Sequence, residues 1–299
     1  MLRKFLVLAV LLATVPAAAA VKVVATVPDL AALAKAVGGD KVTVISLALP
    51  TQDPHFVDAK PSLVIDLNNA DLLLAVGLSL EVGWLPVLQT SARNARILPG
   101  GTGYLDCSRF IQLMDVPDRP IDRSQGDIHP GGNPHYLHDP RRAASVAKGI
   151  ADKLEEIDPA NAAAYAKSLT TFLSQLESAR ARWEGRLGSY RGTPILQYHR
   201  SWVYMVDWLG FVTVEFVEPK PGIPPTATHV ARVLALGKQK GVKAILQEAF
   251  YPDATSEVLA QKIPAALVIL PGGTNVKAGQ TYIEHIDEIV GAIEKALRG

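Results

Sequence analysis

Three histidines sit where extended segments give way to loops: His55 in Gln52-Asp53-Pro54-His55, His135 in Gly132-Asn133-Pro134-His135, and His199 in Leu196-Gln197-Tyr198-His199. Neutral imidazole is the usual ligand for zinc and its neighbours, so three converging loops can enclose one ion. The three lie too far apart for a helix-borne motif such as H-E-x-x-H, so tertiary folding must assemble them. His129 and His138 flank His135 in a Gly- and Pro-rich stretch and are candidates for an accessory metal role. His229 and His285 fall on expected helices away from strand ends and read as surface residues.

The elements that position these residues follow a βα pattern. Residues 21–27, 42–49 and 70–76 are short apolar runs of strand length, as expected for parallel strands buried on both faces. Between them, 29–37 closes on Gly38-Gly39 and 61–69 opens on Pro61, and both read as helices. Residues 194–198, 242–247 and 266–270 repeat the strand pattern, with helices expected over 228–239, 255–262 and 282–297. From Arg141 the chain turns helical, and Asp158-Pro159 starts a new helix to Leu187 with Ala162, Ala166, Leu169, Leu173, Leu176 and Trp183 on one face. At 1.5 Å per residue that helix would be roughly 43 Å long, enough to run the height of two lobes. The fold class is therefore α/β: two βα lobes with parallel sheets joined by a long rigid interlobe helix. Ligands of open α/β sheets bind beyond the carboxyl ends of strands, where His55 and His199 fall.

The division expected is a signal peptide over 1–20, a first metal-binding lobe over 21–140, an interlobe helical linker over 141–187 and a second metal-binding lobe over 188–299. The signal reading rests on Arg3-Lys4, an apolar run over 5–15 too short to span a bilayer, and the small residues Ala18-Ala19-Ala20. It implies an exported, periplasmic protein. No cysteine follows the apolar run, which argues against a lipid anchor on a mature amino-terminal cysteine. The single cysteine, Cys107, has no intrachain disulfide partner and reads as a small buried side chain. A content of 48% hydrophobic residues supplies a core without disulfides. The formal charge of +1 and the lack of a basic stripe argue against nucleic acid as a partner.

Taken together, several short pieces resemble the substrate-binding proteins of ABC importers for zinc and manganese. They are Asp53-Pro54-His55, Asn68-Asn69-Ala70-Asp71 through Glu81, Asn133-Pro134-His135 through Asp139-Pro140, Tyr198-His199 with Gly210, and the turn from Glu218 through Pro225. The resemblance implies a metal held by His55, His135 and His199, and delivery to an importer membrane permease by a monomer. It favours Zn2+ over Mn2+, because manganese members tend to carry a carboxylate at the third position and imidazole suits zinc. The family often adds an aspartate after the strand at 266–270, where this chain reads Pro271-Gly272-Gly273-Thr274. Glu248, directly after the strand at 242–247, is the leading alternative fourth ligand, with Glu218, a water or a loop side chain behind it. Glu248 has a second reading, as support for a ligating imidazole.

No G-x-x-x-x-G-K-[ST] phosphate loop occurs, so the ATPase of such an importer would be a separate chain. A stiff interlobe helix would leave loop movement, over 125–133, to gate the ion. Two rival functions are weighed against this one. A zinc hydrolase would employ three histidines and a water, with Glu248 as base. A binding protein for a siderophore or cobalamin would use aromatic and arginine side chains and leave the histidines incidental.

Overall fold

The computed structural model describes residues 19–118, 126 and 129–299. Most of the expected signal peptide, and residues 125, 127 and 128 of the expected gating loop, lie outside the described residues.

The first lobe carries strands β1 (Val21–Ala25), β2 (Val42–Ser46), β3 (Leu72–Ala75) and β4 (Tyr104–Asp106), in the order β2-β1-β3-β4 and all parallel. Helices α1 (Pro28–Gly38), α2 (Pro61–Asn68) and α3 (Leu85–Ala92) connect them, each with proline in its first turn, where no backbone donor is lost. Helices α4 (Pro140–Ile157) and α5 (Ala162–Leu187) follow. The second lobe repeats the first, with β5 (Pro194–Gln197), β6 (Val212–Phe216), β7 (Ala244–Glu248) and β8 (Ala266–Leu270) in the parallel order β6-β5-β7-β8. Helices α6 (Val203–Leu209), α7 (Ala227–Lys240), α8 (Ala254–Lys262) and α9 (Tyr282–Arg298) complete it. Among the described residues no helix is long and apolar enough to cross a membrane.

The expected two-lobe α/β architecture is thus the observed one. The apolar run at 70–76 outlasts β3 because a side chain takes over a backbone donor. The amide of Val76, just past β3, donates to Glu81 Oε1 at 2.7 Å rather than continuing a ladder. Strands β4 and β6 and helices α3 and α6 are absent from the sequence reading; β4 has three residues and α6 seven, too short for periodicity to register.

The long helix starts later than expected, and its buried face is the expected one only in part: Leu176 and Trp183 are buried and Leu169 and Leu173 pack against the core, whereas Ala162 and Ala166 do not lead it. Pro159–Asn161 form a single 3-10 turn, and Asp158 Oδ2 accepts from Tyr165 Oη at 2.6 Å. The buried residues of α5 are Tyr165, Phe172, Leu176, Ala179, Trp183 and Leu187. The larger aromatic side chains thus take the inner side in place of Ala162 and Ala166, which removes more apolar area from water. This face packs against α1, α4 and α9. One continuous core therefore runs through both lobes, from Leu30 and Leu33 of α1 through Ile150 of α4 and Trp183 of α5 to Ile286 and Ile289 of α9. Cys107 is buried and unpaired, as its reading required.

Candidate metal centre

In each sheet the strand order reverses between the first and third strands, which places a crevice beyond their carboxyl ends. In the second lobe β5 runs into His199, and β7 ends on Glu248. In the first lobe His55 lies on the connection after β2, and His135 comes from the segment ahead of α4. The structure brings His55, His135 and His199 together: one imidazole nitrogen from each lies within 4.8 Å of the others.

The local sequence explains the aim of each ring. In Asp53-Pro54-His55 the Asp53 carboxylate accepts from the His55 amide at 2.9 Å. The same oxygen lies 2.7 Å from His55 Nδ1, which leaves Nε2 to face inward. Asn133-Pro134-His135 repeats the turn, with Asn133 Oδ1 accepting from the His135 amide at 2.9 Å. Asn133 Nδ2 donates to the Arg200 carbonyl at 2.8 Å, which ties this turn to the His199 segment. Tyr204 Oη donates to the Asn133 carbonyl at 2.7 Å and holds the turn from α6. His199 Nδ1 is 2.8 Å from Glu218 Oε2, which leaves Nε2 as the nitrogen turned to the other two rings. His135 Nε2 is buried without any partner.

The carboxylates divide by position. Glu218 sits on the outer nitrogen of His199 and also accepts from the Gly222 amide at 3.2 Å, so its contacts are those of a group that orients an imidazole. Glu248 lines the same cavity as His55 and His135, buried, with neither oxygen hydrogen-bonded within the favoured geometry. His129 approaches from outside, its Nε2 3.2 Å from His55 Nε2. His138 does not join the three; its ring stacks on Trp202 at 4.4 Å. His285 is fully buried and His229 half-buried with Nε2 3.0 Å from the Phe216 carbonyl, so the surface reading of both is corrected. Both sit on helix faces turned towards protein, which strand-end reasoning does not detect.

The segment Pro271-Gly272-Gly273-Thr274 has a physical reason for lacking an acid. A Cβ on Gly272 would fall 2.4 Å from the ring of Phe250, so Phe250 occupies the space that a side chain there would need. Thr274 is tied instead to Asp29 of α1, its amide donating to Oδ1 at 2.9 Å.

Burial sets the protonation of this cluster. It pushes His135 well below the ordinary histidine range and His129 down to about 3, with the neighbouring imidazoles adding to the effect. Burial also lowers His199, although the Glu218 carboxylate pulls the other way, and takes His138 to about 4. Glu248 is raised to about 7 by burial, and Glu81 is raised for the same reason. Neutral imidazoles are the form that binds a metal.

A stability prediction follows from these directions. A histidine held neutral in the folded chain contributes fully above about pH 6.5, and that contribution is lost as pH falls towards its folded value. Glu248 and Glu81 act oppositely, since a raised carboxyl gains relative stability as pH falls towards the ordinary carboxylate range. With four imidazoles against two carboxyls, the metal-free protein should lose stability between pH 7 and pH 4. Each uncompensated imidazole contributes up to about 1.4 kcal/mol per pH unit. Urea unfolding at both pH values measures this, and equal or greater stability at pH 4 contradicts it.

Comparison with known proteins gives the family and the fold. The sequence pattern of the family described as zinc-uptake complex component A, periplasmic (ZnuA), matches residues 23–296. The crystal structure of ZnuA superposes with a TM-score of 0.78 at 22% identity, covering 93% of this chain and 99% of that one. The binding protein FpvC of Pseudomonas aeruginosa, solved in complex with Mn2+, gives a TM-score of 0.78 at 19% identity, with 93% and 98% covered. A metal ABC transporter substrate-binding lipoprotein of Streptococcus cristatus, ScbA, is 29% identical over 142 residues, a match spanning 46% of this chain and 42% of that protein. The chain belongs to the ZnuA family, the periplasmic metal-binding components of ABC importers.

Proposed function

We propose that this protein captures zinc between its two lobes and delivers it to the permease of an ABC importer, acting as a monomer exported by a signal peptide over 1–20. The lobes of this reading are 21–140 and 188–299, with 141–187 as the helical linker. The ligands are His55, His135 and His199, with Glu248 as the fourth. The observation that carries the reading is the convergence of three imidazoles on one point, two of them with their outer nitrogens engaged by Asp53 and Glu218. A nitrogen-rich set favours zinc over manganese, which prefers oxygen and lies lowest in the affinity order of the divalent first-row metals. The buried Glu248 carboxylate supplies a negative charge to offset the ion's.

The adjoining cavity of about 40 Å³ suits an ion with a little water. Organic ligands occupy roughly 300–1,000 Å³, which weighs against both a chelated metal and a hydrolase substrate. Competition between zinc and manganese for the purified protein tests the choice of metal. Zinc is expected to bind at least about 100-fold more tightly. Equal or tighter manganese binding overturns the choice.

A further inference from the structure

A second group of metal-ligand residues lies apart from the three histidines of the capture site. Asp29, His138 and His285 bring a carboxylate oxygen and two imidazole nitrogens within 4.8 Å of one another. All three are buried, His285 completely. They come from three parts of the chain: Asp29 from the start of α1, His138 from the turn just before α4, and His285 from the first turns of α9.

The polar groups here are conspicuously unmet. Both ring nitrogens of His285 and Nδ1 of His138 are buried without a hydrogen-bond partner. A buried imidazole normally has its donor and acceptor satisfied, because neither water nor protein otherwise repays its desolvation. Asp29 is only partly engaged: Oδ1 accepts from the amide and hydroxyl of Thr274 and lies 3.7 Å from His285 Nε2. Stacking on Trp202 holds the His138 ring. Asp29 and His138 also line the cavity that reaches His55 and His135, which offers a path for an ion between the two groups.

We propose that Asp29, His138 and His285 form a second divalent-metal site, of the class that takes zinc or a chemically similar borderline ion, with a water as the remaining ligand. Two imidazoles and one carboxylate match that class, and bonds near 2.0–2.1 Å would draw the three groups slightly inward. The ion neutralises the buried carboxylate and satisfies the orphaned nitrogens. Because Asp29 belongs to the first lobe and His285 to the second, the ion also fastens one lobe to the other. The inference stands independently of which metal is transported.

Zinc content of the purified protein tests it, measured by mass spectrometry after loading against a weak competing chelator that strips adventitious surface ions. The wild type should hold two zinc ions per chain, His135→Ala one, His285→Gln one, and the double variant none. In the His135→Ala background, cobalt should give a tetrahedral visible absorption and zinc should raise the melting temperature. Both effects should vanish on adding His285→Gln or, as a second variant should that one fold poorly, Asp29→Asn. A wild type with one zinc, lost in His135→Ala and retained in His285→Gln, overturns the second site while leaving the capture site standing. Zinc that survives His135→Ala but disappears with His285→Gln does the reverse.

Discussion

Replacing His135 by alanine is expected to weaken zinc binding by more than about 100-fold, because removing groups that merely orient a ligand already costs 10–100-fold in metal affinity. In the proposed site His135 is the purest donor of the three: its Nε2 is buried with no partner among the described residues, so no protein group there competes with an ion for it. The amide turn at Asn133 holds its backbone while α6 braces that turn through Tyr204. The side chain is therefore presented rather than recruited, and its loss removes a bond without removing the scaffold. Glu218→Gln provides the contrast. The glutamine can still meet His199 Nδ1 but without a charge, so a loss of about 10–100-fold is expected with the remaining ligands intact. Competition with a chromophoric chelator measures both variants. Affinity within threefold of wild type for His135→Ala would remove that residue from the centre.

Trp183→Ala is expected to destabilise the whole protein by about 3–5 kcal/mol, the usual range for deleting a buried aromatic side chain. Trp183 is fully buried on the inner face of α5, its ring plane at 76° to that of Trp208 with ring centres 5.9 Å apart. Its Nε1 donates to Asp287 of α9 at 2.8 Å. It therefore joins the interlobe helix to the second lobe inside a core that continues into the first. The same continuity predicts one cooperative unfolding transition rather than one per lobe. Arg180→Ala, on the outer side of the same helix, removes only exposed ion pairs with Glu177 and Glu184 and should cost less than about 1 kcal/mol. Urea denaturation followed by near- and far-ultraviolet dichroism tests both variants. A cost below about 1 kcal/mol for Trp183→Ala, or two separated transitions, would show that the lobes do not share a core.

That shared core bears on how an ion is held. Wide hinge closure would have to break packing among α1, α4, α5 and α9, which costs apolar burial along the whole interface. The more economical adjustment lies in side chains at the mouth of the site. His129 is placed for this, with its Nε2 3.2 Å from His55 Nε2.

Much of the fold was legible because its signals are local. Continuous apolar runs bounded by Pro and Gly mark β1, β2, β3, β5, β7 and β8, since a doubly covered parallel strand has no polar face. The short β4 and the α6 turn carry too few residues for a period to emerge. The face of α5 was read only in part for a different reason: Leu176 and Trp183 are buried as expected, but alanines fit either side of a helix, and the bulk of Tyr165 and Phe172 takes the inner side at its start. Glu218 was weighed only as a reserve ligand, because sequence distance from His199 does not reveal that the turn at 218–222 folds back on the outer nitrogen.

The candidate site divides along the same line. Donor types, their places at strand ends and the Asp-Pro-His and Asn-Pro-His turns are written in the chain, since each depends on a few neighbouring residues. Convergence is not, because three loops meet only when two sheets of matching strand order face one another across a packed helical spine. The grouping of Asp29, His138 and His285 belongs wholly to that second category. Asp29 and His285 looked ordinary in isolation and His138 stood out only as a flank of His135; only the closing of α9 against α1 and the His138 turn buries them side by side, because burial and unmet hydrogen bonds are properties of the assembled interior.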